Sequence, residues 1–90
     1  MNAPRIEAIR SRLSSAFEPE ELEIIDESHL HVGHEGARGG LGHFRVRIVS
    51  DRFMGLKRIQ AHRLVYDALG NLMQTDIHAL SVDASAPGNT

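Results

Sequence analysis

The sequence predicts a small α+β domain: one sheet of three strands with helices packed on one face, in the order α-β-β-α-α-β. Three observations carry this. Residues 43–50, HFRVRIVS, alternate cleanly, with Phe44, Val46 and Ile48 on one side and His43, Arg45 and Arg47 on the other. That is the period of a strand with one buried face. Ile6, Ile9, Leu13, Ala16 and Phe17 recur at helical spacing, the mark of an amphipathic helix. Finally, the helical segments stand before and between the strands instead of alternating with each one.

Taken in order, the first helix has Asn2 as its N-cap candidate and Pro4 in a tolerated first-turn position. Pro19 biases Glu18 away from helical angles and ends it. In Glu21–Asp26, Leu22 and Ile24 alternate with Glu21 and Glu23, predicting a strand with one wet face. This strand and residues 43–50 are neighbours in sequence and most simply pair antiparallel. Residues 50–55, SDRFMG, read as a turn with Ser50 or Asp51 as a cap. A longer helix is expected from about Leu56 to Met73, with Gln60, Arg63, Asp67, Asn71 and Gln74 on its polar stripe. Ile59, Val65, Ala68, Leu69 and Leu72 are expected on its buried side, and Gly70 is expected to fray or stop it. His62 is expected at the core's edge, and Tyr66 at the sheet edge with a polar partner for its hydroxyl. Residues 77–83, IHALSVD, read as the third strand, with Leu80, Val82 and, by alternation, His78 on one side. The domain is expected over residues 1–84, with residues 85–90 as a flexible tail.

The totals set bounds. Ninety residues make one domain. Apolar content of 41% and charged content of 24% are those of a globular protein. A net charge of −2 does not favour a general nucleic-acid binder. No apolar run approaches the ~20 residues that cross a bilayer, and the charged start MNAPRIEAIRSRL does not read as a signal peptide. The expectation is a cytoplasmic protein with no membrane partner. There is no cysteine, so a metal site must use His, Asp, Glu or a borrowed ligand.

Chemistry concentrates in SHLHVGHEGARGGLGHF, residues 28–44, which holds His29, His31, His34 and His43 among five glycines. Neutral imidazole binds Zn, Fe and Cu. The residues alone leave two readings open: a metal-binding loop, or a solvated loop with incidental histidines. A loop of this length is usually functional or disordered. His78 is likewise either a ligand or a core-boundary histidine. Enzyme signatures are absent: there is no phosphate loop, dinucleotide fingerprint, H-E-x-x-H or nucleophile elbow. The chain is therefore not expected to be an enzyme.

DESHLH, HFRVRIVSDRFMG, HRLVYDAL and IHALSV occur in this order. Together they resemble the BolA family over about residues 5 to 84. Ala61 and Gly70–Asn71 depart from the family pattern, and the loop is lengthened. The resemblance implies a fold similar to class II KH domains. It also implies a [2Fe–2S] cluster shared with a monothiol glutaredoxin, which supplies a cysteine and bound glutathione. His78 matches the family's H-A-L histidine. His31 best matches the loop ligand, His43 is the rival, and His34 falls in the lengthened segment. The implied function is an iron–sulfur trafficking or regulatory adaptor that needs no cofactor to fold. Two alternatives stand beside it. One is a nucleic-acid-binding transcriptional regulator with DNA as partner and Arg52, Lys57, Arg58 and Arg63 as phosphate contacts. The other is a stand-alone metal binder. Against the regulator, the turn Phe53–Lys57 has a single glycine, whereas a KH clamp is a GXXG loop.

Overall fold

The computed structural model describes residues 3–27 and 42–88, His78 by its backbone alone. The order is α1 (Ala3–Phe17), β1 (Glu21–Asp26), β2 (Gly42–Val49), a 3-10 turn (Asp51–Phe53), α2 (Arg58–Leu69), α3 (Leu72–Thr75) and β3 (Ile77–Ser85). This is the predicted α+β order. The three strands form one sheet in the order β1-β2-β3. β1 and β2 pair antiparallel, as expected of sequence neighbours. β3 pairs parallel to β2, because α2 and α3 carry the chain back to the end where β2 began.

One face of the sheet meets the helices. Phe44, Val46 and Ile48 of β2 are buried with Ile9, Leu13 and Phe17 of α1 and Ala61, Val65 and Leu69 of α2. Leu22, Ile24, Leu80, Val82 and Ala84 pack against this core from the outer strands. The other face carries Glu21, Glu23, Arg45, Arg47, Ser81 and Asp83, all exposed.

The helix ends follow local rules. α1 stops before Pro19, and Glu18 takes φ 44° with its N–H on the Ser14 carbonyl at 3.0 Å. Ser50 is 1% exposed. Its hydroxyl donates to the Phe17 carbonyl at 2.7 Å and accepts the Arg52 N–H at 3.1 Å. This ties the end of α1 to the 3-10 turn, where the Phe17 and Phe53 rings lie 4.9 Å apart.

The helix expected over 56–73 is two helices. The Gln60 side chain accepts the Lys57 N–H at 2.8 Å, so α2 begins at Arg58. Gly70, at φ 55°, ends it, and Arg12 donates to the terminal Leu69 carbonyl at 3.2 Å. Ile59 corrects its expected place: it is 58% exposed. The buried row is Ala61, Val65 and Leu69, four residues apart. Ile59 is two positions from Ala61, hence about 200° round the helix. β3 outruns its expected end at Asp83 by two residues, held by Ser50 N–H to Ser85 carbonyl at 3.0 Å.

Candidate functional site

Parallel pairing brings the starts of β2 and β3 to the same end of the sheet. Antiparallel β1 finishes there, with the Glu27 N–H on the His43 carbonyl at 2.8 Å. Two of the sequence's candidate ligand positions, His43 and, by its backbone, His78, therefore fall at this end. Gly42 is partnered with Ile77, and His43 with Ala79. One step along β2 is matched by two along β3, so His78 is an inserted residue, a β-bulge in a parallel pair.

The bulge overturns the strict alternation expected from residue 77 to residue 83. Ile77 is buried in the core, and Leu80, three residues on, packs against the same core. An unbroken strand would put residues three apart on opposite faces. With His78 set aside, the alternation is regular: Ile77 in, Ala79 out, Leu80 in, Ser81 out, Val82 in. The signal was present in the sequence as two core aliphatics at odd spacing within one strand.

His43 follows Gly42 and is 6% exposed, unlike Arg45 and Arg47 on the same alternation. Gly42 is required by close approach. A Cβ there would run into the Phe44 ring, Cε2 and Cζ being the nearest atoms. Glu27 holds Arg45 in an ion pair at 3.2 Å. His29, His31 and His34 lie outside the described residues. Among the described residues, no three His, Cys, Asp or Glu side chains group to hold a metal. Among the described residues, this end of the sheet offers the two histidine positions 43 and 78 and, with no cysteine in the chain, no thiolate; that is fewer than the four protein ligands of a closed structural site and fits a half-site completed from elsewhere.

The four basic candidates sit in different settings. Arg52 is engaged by α1, donating to Glu18 at 2.8 Å and to the Ala16 carbonyl at 3.3 Å. Lys57 and Arg58 sit at the start of α2, both exposed. Arg63 is exposed on the stripe with Gln60 and Asp67, about 140° round the helix from Arg58. Gly55, at φ 78°, is the lone glycine of the turn before α2. Tyr66 donates to the Leu80 carbonyl at 3.4 Å, as expected, and His62 is partly buried at the core's edge. Among the described residues, no helix is long and apolar enough to cross a membrane.

The BolA-like protein family matches residues 13–89. An uncharacterized protein of a Sinorhizobium species is 46% identical over 84 residues, which are 91% of this chain and 90% of that relative. SufE-like protein 1 of Arabidopsis thaliana is 43% identical over 84 residues. Those residues are 88% of this chain but 23% of that protein. The solved BolA domain of SufE1 from Arabidopsis thaliana superposes with a TM-score of 0.84 at 40% identity, covering 96% of this chain and 95% of that one.

Proposed function

The chain belongs to the BolA family, and on that premise we propose that it is an iron–sulfur adaptor sharing a [2Fe–2S] cluster with a monothiol glutaredoxin. The observation that carries this reading is the surplus residue at His78. The sheet needs Ile77 followed by Ala79, and His78 interrupts that ladder. A bulge breaks ladder pairing locally, and bulges are over-represented beside functional sites. Here the bulged residue is a histidine, set next to a second histidine on the neighbouring strand.

In this reading His78 is the fixed ligand. The second imidazole comes from His31, or from His43 or His34 in its place. The glutaredoxin cysteine and glutathione complete the cluster, since this chain has no cysteine. When bound, a cluster with neutral imidazoles on one iron has a higher potential than one held by thiolates alone. The chain's own task is to hold two neutral imidazoles at one end of the sheet. It acts as a binding partner and not as a catalyst. A related domain standing as one part of a longer Arabidopsis protein agrees with such a modular role.

The experiment is visible circular dichroism of the complex reconstituted with a monothiol glutaredoxin, using His78→Ala and His31→Ala, with far-ultraviolet spectra as the folding control. His78→Ala abolishes the imidazole-ligated spectrum. His31→Ala leaves a weaker or altered one, because His34 and His43 remain nearby in sequence. An unaltered spectrum in folded His78→Ala overturns the assignment.

A further inference from the structure

The geometry points to a second binding site at the opposite end of β3: a groove along its free edge that takes an extended, acidic segment of a partner protein as a fourth strand. Among the described residues β3 is an edge strand, paired with β2 alone. Its hydrogen-bonding sense is fixed by the Ser85 carbonyl, which accepts the Ser50 N–H at 3.0 Å. In a parallel ladder alternate residues direct both backbone groups to the same neighbour. Ser85, Asp83 and Ser81 therefore face β2, and Leu80, Val82 and Ala84 direct their N–H and C=O groups outward. The Tyr66 hydroxyl covers the Leu80 carbonyl at 3.4 Å, which is consistent with that sense and closes one end of the free edge. Beyond it, Val82 and Ala84 themselves carry no charge, proline or bulge, and the one charge between them, Asp83, stands on the sheet's open face.

A groove of about 540 Å³ lies along this stretch, lined among others by Leu56, Arg58, Ala61, His62, Val82 and Ala84. Small side chains at Ala61 and Ala84 leave the space open. Backbone groups on one wall and side chains on the other are what strand addition requires.

The occupant's charge follows from the helix side. Arg58 and His62 are four residues apart on α2 and so share a face. Both line the groove, and among the described residues Arg58 makes no ion pair. Two other charged groups border the same space, Arg45 and Asp83. Both belong to the sheet's open face, and Arg45 is already held by Glu27. The helix side is therefore left basic. An added strand that alternates acidic and small apolar residues would place its carboxylates under Arg58 and His62. This site does not depend on the cluster reading, since it lies several residues along β3 from His78.

The test titrates a capped Glu-Val-Glu-Val-Glu-Val peptide into isotopically labelled protein and follows amide shifts and hydrogen exchange. Shifts centred on Val82 and Ala84, with slowed exchange of those two amides, are expected. In a strand alternate N–H groups point to the same side. N-methylation of one alternate set should therefore abolish binding, while methylation of the other spares it. A lysine-for-glutamate peptide should not bind, and Arg58→Glu, at an exposed position, should weaken binding about fivefold. The proposal is overturned if both methylated peptides bind like the parent, or if Arg58→Glu or the lysine peptide changes nothing. It is also overturned if the shifts fall elsewhere, or if millimolar peptide produces none. Concentration-dependent dimers in sedimentation that protect the same two amides would make the occupant a second copy of this chain. Displacement of bound peptide by a single-stranded oligonucleotide of equal charge would make it a nucleic acid. Either result refutes the assignment to an acidic peptide.

Discussion

Replacing Gly42 by alanine tests the packing that sets the histidine end of the sheet. The added Cβ would collide with the Phe44 ring. That ring is 2% exposed and lies in the core, so it cannot swing out into solvent without opening a cavity. Overpacking of this kind costs about 1–3 kcal/mol. Alanine also restricts the unfolded chain, which returns about 0.4–1 kcal/mol. The net loss is about 1–2 kcal/mol, or a fall in Tm of roughly 4–16 °C for a domain of this size. The assay is urea unfolding, read as a lower midpoint at unchanged m. The clash makes a further demand. Phe44→Leu removes the ring, so Gly42→Ala should cost much less in that background, giving a coupling of about 1 kcal/mol in a double-mutant cycle. A Gly42→Ala midpoint equal to wild type, or strict additivity with Phe44→Leu, would refute the reasoning.

Ser50→Ala should destabilise by about 1–3 kcal/mol, because it leaves the buried Phe17 carbonyl without its donor; thermal unfolding checks this. Far-ultraviolet circular dichroism should be unchanged by a strong chelator, since the core is complete from α1, the sheet and α2; loss of signal would make a metal structural. Imidazoles must be neutral to ligate. Formation of the shared cluster should therefore weaken as pH falls through the histidine range near ~6.5, while the far-ultraviolet signal holds over the same interval. Cluster absorbance that is flat from pH 8 to pH 5.5 would argue against histidine ligation.

Much of the fold is legible in the residues because local period and long-range packing agree there. Phe44, Val46 and Ile48 alternate and are buried as read, and Gly70 breaks the long helix as its backbone freedom predicts. Tyr66 finds its carbonyl at the sheet edge. Ile59 misleads because an apolar residue in a first helical turn looks like core, while the helix turns its Ala61–Val65–Leu69 row, with Ala68 beside it, to the sheet. The parallel partner of β2 is not written in any local pattern; it follows from where α2 and α3 return the chain. The alternation from Ile77 to Leu80 is misread for a related reason. Period-two reasoning assumes that every residue of a strand has a partner, and here one does not. For His29, His31 and His34 the sequence remains the source of the reading, since they lie outside the described residues.

β3 departs from what stability alone would select at both of its ends. A strand chosen only to complete a three-stranded sheet would have no inserted residue, and its outward backbone groups would be covered. Here the start has a surplus histidine, and among the described residues the outward backbone groups of Val82 and Ala84 are left open. Local rules broken without compensation mark the positions where function is to be sought. Between the two departures, Ala79, Leu80 and Ser81 keep regular partners on β2. That regular stretch is expected to insulate the two proposed sites from each other. His78→Ala should leave peptide shifts at Val82 and Ala84 unmoved, and Arg58→Glu should leave the cluster spectrum unmoved. Coupling between the two readouts would mean that the ladder from Ala79 to Ser81 does not insulate them, and that the two ends of β3 form one extended partner surface.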